Sequence, residues 1–219
     1  WRSLNELICV NRSTGEVLWR QPIEDPTARS IVQMGETKAD GNRIVSLRSQ
    51  LGHRVLRNSI LSQITSDGER VYTVEYSSVV RATPAPPTQP QPNNLPPESD
   101  RMPIPEMTLV AYSLADGTVV WRSDEVWQPD QSLNTFFFGP PVVHGKSLYA
   151  VIQNQEQLRI LRMDPATGTL DGASLLGEAP HLSDDRRRMS EACPIVWHNG
   201  VAICATGAGG VAAFDIYRG

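Results

Sequence analysis

Short apolar runs bounded by turn residues recur along the chain, and they predict β-strands rather than helices. The runs are rich in Val, Ile, Tyr and Leu and have the length of about 4–8 residues typical of strands, as in residues 70–75, 147–152 and 201–205. Turn pairs such as Asp67-Gly68 and Asn199-Gly200 precede some runs and supply the positive φ of tight hairpins. Several runs are continuously apolar, which indicates sheets covered on both faces. No long stretch shows helical periodicity, so the sequence predicts an all-β fold.

An eleven-residue motif recurs within this strand pattern, with a polar turn residue at its third position, Gly at its seventh and Trp at its eleventh. Cys9–Trp19 and Ala111–Trp121 are complete copies. In a third copy, beginning at Arg162, Gly172 stands where the Trp is expected. A fourth copy begins at Ala213 and reaches the last residue, Gly219. Repeats with a period of roughly 20–50 residues indicate stacked units, each too small to bury its own apolar face.

The predicted strands group into four-stranded antiparallel units, which makes a partial β-propeller of about 3.5–4 blades the predicted architecture. A β-sandwich also contains many short strands, but it does not explain the motif. Residues 1–219 are predicted to form one partial propeller. Within it, residues 1–20 end one blade, 58–122 form the next, 134–178 form another and 190–219 form an incomplete one. The first strands of the two middle blades are predicted at Ser59–Gln63 and Gly139–His144.

Two segments depart from the pattern. Residues 21–57 contain strand-like pieces but no motif copy, and they are predicted to form either a long loop or a degenerate blade. Residues 84–105 contain nine prolines and are predicted to be an insertion with polyproline character inside the second blade.

The motif residues have predicted structural roles. The polar residues are expected to close turns by accepting backbone N–H bonds, and the glycines to supply a left-handed conformation. The Trp side chains are expected to lie flat in the seams between blades and to donate the indole N–H to a carbonyl. Stacking on a bound ligand is the alternative role, but a ligand-stacking Trp is normally a single position. Because the third copy lacks Trp, its seam must be filled otherwise. The residues concerned are Asn11, Gly15, Trp19, Ser113, Gly117, Trp121, Asp164, Gly168, Asp215 and Gly219.

Composition narrows the possible partners. The net charge is −4, and the one basic run, at residues 186–188, follows two aspartates, so no nucleic-acid surface is predicted. No segment approaches the roughly 18 apolar residues of a membrane span. The three cysteines are predicted to be small buried apolar residues, with a disulfide between Cys193 and Cys204 as the open alternative. His144 and His198 are predicted to be exposed turn residues.

The motif resembles the tryptophan-docking repeat of pyrroloquinoline-quinone-type propellers, from about Leu4 to Gly219. The runs at residues 64–72, 138–141 and 205–209 resemble the large repeat proteins of planctomycete-type bacteria. The wider family includes quinoprotein alcohol dehydrogenases and also non-catalytic relatives, such as the lipoprotein of the outer-membrane β-barrel assembly machine. Its catalytic members place an adjacent cysteine pair over the quinone and bind Ca²⁺. This chain has no adjacent cysteines and no matching cluster, so no catalytic, cofactor-binding or metal residue is predicted. A quinone with calcium is implied by the resemblance only.

The resemblance implies a non-catalytic binding or assembly scaffold in an exported protein of the periplasm or cell envelope. The expected partners are another protein or a second copy of the chain, held through open propeller edges. Because the fourth motif copy stops before its last strand, the chain is expected to be a piece of a larger propeller. Two alternatives stay open: a fragment of a quinone-dependent dehydrogenase, and a carbohydrate- or polymer-binding domain.

Overall fold

Four antiparallel sheets make up the described part of the chain in a computed structural model. The structure describes residues 1–3, 6–23, 60, 63–76, 107–128, 135–154, 156–178, 194–206 and 210–216. Blade 1 contains β1 (Glu6–Val10) and β2 (Val17–Pro22). Blade 2 contains β3 (Ile64–Ser66), β4 (Arg70–Tyr76), β5 (Met107–Ser113) and β6 (Val119–Arg122), paired in chain order and followed by the short helix α1 (Ser123–Val126).

Blade 3 has five strands, because two short strands share one edge of its sheet. It contains β7 (Thr135–Phe137), β8 (Val142–His144), β9 (Ser147–Asn154), β10 (Gln157–Met163) and β11 (Leu170–Glu178). Both β7 and β8 pair with β9, at opposite ends of that strand. Pro140 and Pro141 lie between them and have no N–H to donate, so the pairing is interrupted and β8 begins at Val142 rather than at the predicted Gly139. Blade 4 contains β12 (Ile195–His198), β13 (Val201–Ala205) and β14 (Val211–Asp215).

Of the predicted first strand of blade 2, Ser59–Gln63, only Ile60 and Gln63 are among the described residues, and neither lies in a strand. The strand that pairs with β4 is β3, at Ile64–Ser66. Ile60 is buried at 1% exposure, and its carbonyl accepts a hydrogen bond from the Gln63 N–H at 3.2 Å. The apolar side chain that suggested a strand therefore reaches the core from a turn. Most of the segment at 21–57, the Pro-rich segment at 84–105, Arg186–Arg188, Cys193 and Gly219 lie outside the described residues.

The core lies between blades rather than within one of them. The middle strands β4, β5 and β9 are buried along almost their whole length, on both faces. One continuous apolar cluster joins blades 2, 3 and 4, and a second joins blades 1 and 2 through Leu7, Ile23, Val71, Val110 and Tyr112. Continuous apolar runs in these strands are therefore the sequence signature of sheets packed face to face.

A β-bulge occurs at the same place in each of the three motif copies whose last strand is described. Cys9 pairs with Trp19 but Val10 pairs with Val17, so Leu18 is left unpaired. The same shift leaves Val120 unpaired in blade 2 and Asp171 unpaired in blade 3. An extra residue bends the strand and re-aims the side chains beside it. The bulge lies directly before the motif's eleventh position, where it sets the direction of the Trp side chain.

Candidate functional site

The turns of the motif are closed by polar side chains and left-handed glycines. The Oδ1 of Asn11 accepts the N–H of Ser13 at 2.8 Å, and that of Asp164 accepts the N–H of Ala166 at 2.7 Å. The corresponding glycines, at positions 15, 117 and 168, have φ of +74°, +78° and +73°. Such φ values suit glycine because it has no Cβ.

The second copy differs from the predicted arrangement, because Asp116 closes its turn. Oδ1 of Asp116 accepts the N–H of Thr118 at 3.1 Å and the hydroxyl of the same residue at 2.8 Å. These bonds, together with one to the side chain of Ser113, lower the pKa of Asp116. Ser113 therefore acts beside Asp116 rather than as the residue that caps the turn with its own side chain.

The first seam joins blade 1 to blade 2 through Trp19. Its indole Nε1 donates to the carbonyl of Leu114 at 2.9 Å. The ring lies against Gly117 so closely that a Cβ at that position would stand 2.5 Å from a ring carbon. Position 117 therefore has to be glycine for two reasons, its φ and the space taken by the indole.

The second seam repeats this geometry between blades 2 and 3. Trp121 Nε1 donates to the carbonyl of Pro165 at 2.9 Å, and a Cβ on Gly168 would stand 2.6 Å from the ring. Pro165 follows Asp164 as Leu114 follows Ser113, so the acceptor occupies the same motif position in both seams. The motif Trp thus binds the turn of the following copy, not its own.

Trp127 strengthens the second seam and lies outside the motif. This residue is 5% exposed, and its Nε1 donates to the carbonyl of Gly168 at 2.9 Å. It follows α1, whose short turn brings it back against blade 3. The only sign of this role in the sequence is that a Trp stands in a polar stretch soon after the motif Trp. Trp127 is not part of a repeat.

Tyr72 adds a polar network to the same seam. Its hydroxyl lies 2.7 Å from Oδ2 of Asp67 and 3.2 Å from the carbonyl of Pro165. Arg70 binds the same Asp67 oxygen at 2.8 Å. Burial acts to raise the pKa of Asp67, but the bonds from Tyr72, Arg70 and Glu69 outweigh it, and the net shift is downward. Burial and the neighbouring Asp67 raise the pKa of Tyr72, which keeps its hydroxyl protonated as a donor.

This network predicts a pH-dependent contribution to stability. Because the folded-state pKa of Asp67 lies below its ordinary value of 3.8, its stabilising effect is full above that value and is lost as the pH falls through the folded-state pKa. Asp67→Asn should lower the free energy of unfolding at pH 7 by about 1–3 kcal/mol, and the difference from the unsubstituted protein should shrink below about pH 4. Urea unfolding at several pH values measures this. A deficit that is the same at pH 3 and pH 7 would contradict it.

A second buried polar group lies beside the first seam. Glu75 is 4% exposed, and its Oε1 accepts the hydroxyls of Tyr112 at 2.6 Å and Thr73 at 2.9 Å. Burial and the negative charge of Glu75 raise the pKa of Tyr112. Arg122 lies 4.0 Å from the other oxygen of Glu75, while Arg2, which precedes blade 1, donates to the carbonyl of Val74 at 2.8 Å. The hydroxyls satisfy the buried carboxylate, as a buried charge requires.

Comparison with known proteins assigns the chain to a family. A family model described as outer membrane protein assembly factor BamB matches residues 3–219. The chain belongs to this family. The resemblance to pyrroloquinoline-quinone-type propellers that the sequence predicted is thereby confirmed.

A solved structure supports the same fold. The crystal structure of BamB from Moraxella catarrhalis matches 98% of the chain with a TM-score of 0.52 and 13% sequence identity, and this likeness confirms the partial-propeller fold. The chain covers 45% of the length of that BamB chain. Among curated proteins, none matches the chain.

In this BamB-family chain, apolar side chains are exposed on the strands at the sheet edges. The strands β2, β6 and β11 each pair with a single described strand. Leu18 and Val120, the bulge residues, are 60% and 44% exposed, and Leu175 on β11 is 52% exposed. We call these side chains the apolar edge: Val17, Leu18, Val119, Val120 and Leu175. Exposed apolar residues are suited to binding another protein segment when they lie on an edge strand, whose outer backbone groups here have no partner strand among the described residues.

The described residues do not fit a calcium or other metal site. No group of three or more His, Cys, Asp or Glu side chains in this part of the chain is placed to hold a metal ion.

His144 is not the exposed turn residue that the sequence predicted. It lies on β8, half-buried, and stacks on Trp197 with ring centroids 4.1 Å apart. His198 is exposed at the end of β12. Cys204 is buried, as the sequence predicted, and the alternative of a disulfide with Cys193 stays open because Cys193 lies outside the described residues.

The described residues contain no helix long and apolar enough to cross a membrane.

Proposed function

We propose that this chain is part of a non-catalytic scaffold of the bacterial cell envelope and that it binds an extended segment of a partner protein along the apolar edge. The family description, outer membrane protein assembly factor, points to protein assembly as the setting. The observation that carries the proposal is the exposure of Leu18, Val120 and Leu175, on one edge strand of each of three successive blades. Strand addition uses an unpaired edge for affinity and side-chain contacts for specificity.

The seams support this proposal because they make the edges rigid. Trp19 fastens blade 1 to a backbone carbonyl of blade 2, and Trp121 and Trp127 fasten blade 2 to backbone carbonyls of blade 3. A partner that contacts two or three edges at once needs them at fixed spacing, since ordering mobile loops would cost binding free energy.

Photo-crosslinking tests the partner. A photoreactive amino acid at Leu18, Val120 or Leu175 of the full-length protein should crosslink in the native cell to one envelope protein of the outer-membrane assembly machinery. Ala115 and Ala166, exposed on the motif turns, are the matched control positions and should give no such product. The crosslinked protein, once purified, should bind the purified scaffold. The proposal would be contradicted if the products were no stronger than those at the control positions. It would also be contradicted if they consisted only of a second copy of the chain.

Charge substitution tests the edge itself. Lysine on an edge strand discourages pairing with another strand. Val119→Lys combined with Val120→Lys should weaken binding to the crosslinked partner at least about tenfold, which corresponds to about 1.4 kcal/mol. Glu16→Lys, on an exposed turn, should leave the affinity unchanged. Equal affinity of the double variant and the Glu16 variant would argue against the apolar edge.

The non-catalytic part of the proposal has its own test. Pyrroloquinoline quinone and Ca²⁺ are added to the full-length protein while absorbance and thermal stability are followed. The proposal predicts no saturable change in either signal. A quinone-dependent absorbance change, or stabilisation that requires Ca²⁺, would instead support the dehydrogenase alternative.

A further inference from the structure

The third seam lacks the Trp that closes the other two. In blade 2, Tyr72, Ala111 and Trp121 are neighbours on adjacent strands. The equivalent row in blade 3 is Tyr149, Arg162 and Gly172. Where blade 2 has Ala111 beside Trp121, blade 3 therefore has Arg162 beside Gly172.

A partly open pocket lies beside Gly172, at the motif position that holds Trp in the first two copies. Its volume is about 110 Å³, and Gly172 forms part of its wall. Its apolar lining includes Tyr149, Ile160, Phe214 and Ile216, from both blades of the seam. Ile216 follows Asp215 as Pro165 follows Asp164, so it occupies the motif position that accepts the indole N–H elsewhere. An apolar cavity of about 150 Å³, somewhat larger than this pocket, binds benzene in another protein.

One wall of the cavity is positively charged. Arg162 lines it together with Ser174. Nη2 of Arg162 would lie 3.8 Å from a Cβ on Gly172, so the guanidinium lies beside the space that the glycine leaves. Its one described hydrogen bond is a long one of 3.4 Å, to the carbonyl of Asp171, and no ion pair of Arg162 with a carboxylate occurs among the described residues. A guanidinium fork matches a carboxylate in geometry and charge.

We infer that the third seam is a binding site for a small free aromatic carboxylate. The ring takes the place of the missing indole, between Phe214 and Tyr149, and the carboxylate binds Arg162 with the hydroxyl of Ser174 at its side. This inference does not depend on the proposed scaffold function. It assigns a ligand site to a seam that the motif leaves incomplete.

Calorimetric titration of the full-length protein with benzoate tests the site. We expect saturable binding of one benzoate per chain, with a dissociation constant below about 1 mM. Cyclohexanecarboxylate, which lacks the flat ring, and benzyl alcohol, which lacks the charge, should each bind at least about tenfold more weakly, because each loses one of the two interactions. Absence of benzoate binding up to about 10 mM, or equal affinity for the three compounds, would overturn the inference.

Three variants locate the site. Arg162→Met should weaken benzoate binding at least about tenfold while leaving benzyl alcohol binding unchanged. Arg159→Met is the matched control on the same strand, since Arg159 binds Gln157 and does not line the cavity, and it should bind benzoate normally. Gly172→Trp should abolish binding by filling the seam. Retained binding in the Gly172 variant would overturn the inference.

A measurement on the unsubstituted protein covers the case in which Gly172→Trp does not fold. Benzoate should shift the nuclear magnetic resonance signals of Tyr149, Ile160 and Phe214 and leave those of the second seam, such as Trp127, unchanged. Shifts confined to residues outside the third seam would overturn the assignment.

Discussion

Trp121→Ala should lower the free energy of unfolding by about 3–5 kcal/mol, the range for truncating a large buried aromatic side chain. The side chain is 4% exposed and contacts two residues of one turn in blade 3, Pro165 and Gly168. Its loss opens a cavity in the seam and leaves the Pro165 carbonyl with only the longer bond from Tyr72. Denaturant unfolding of the full-length protein, followed by tryptophan fluorescence and circular dichroism, measures the change.

Two further variants separate the contributions of the ring and its N–H. Trp121→Phe keeps an aromatic ring but removes the donor, so it should cost less than the alanine variant. Trp1→Ala is the control, because Trp1 is 72% exposed and its removal should change stability by no more than about 0.5 kcal/mol. If the alanine variants at positions 1 and 121 unfold at the same denaturant concentration, the seam does not hold the blades together.

Gly168→Ala should destabilise the protein more than Gly15→Ala, although both glycines have nearly the same φ. A Cβ at either position costs about 1–2 kcal/mol for the left-handed conformation. At position 15 nothing lies within 4 Å of the added Cβ, whereas at position 168 it would stand 2.6 Å from the Trp121 ring. Overpacking adds about 1–3 kcal/mol at the second position.

The comparison of these two glycines is a matched one, since turn and motif position are the same. Urea unfolding of both variants should show the larger loss at position 168. Equal losses would mean that the indole moves away from Gly168 at little cost. The seam would then be loosely packed.

The fold was largely predictable because its signals repeat. Glycine turns, apolar runs and the spacing of Trp19 and Trp121 each occur more than once, and repetition separates a structural role from chance. Local exceptions were not predictable in the same way. Ile60 is apolar and buried yet belongs to a turn. The apolar pattern alone does not distinguish a buried residue in a turn from one in a strand.

The candidate sites were predictable only where the motif marks them. The positions of the motif Trp residues in the seams follow from the repeat. The role of Trp127 depends on how α1 turns the chain back towards blade 3, which no periodicity records. The absence of Trp at position 172 is visible in the sequence, but the cavity and the charge of Arg162 beside it depend on cross-strand register. Exposure of the apolar edge likewise depends on a bulge that places Leu18 and Val120 outside the pairing.

The central claim is that the Trp of one motif copy packs on the glycine of the next, and a double-mutant cycle tests it most directly. The free energy of unfolding is measured for the unsubstituted protein, Trp121→Ala, Gly168→Ala and the double variant. If the indole lies on Gly168, the alanine at 168 costs less once the ring is absent, and its cost falls to that of Gly15→Ala, about 1–2 kcal/mol. An unchanged cost of Gly168→Ala in the two backgrounds would contradict the claim.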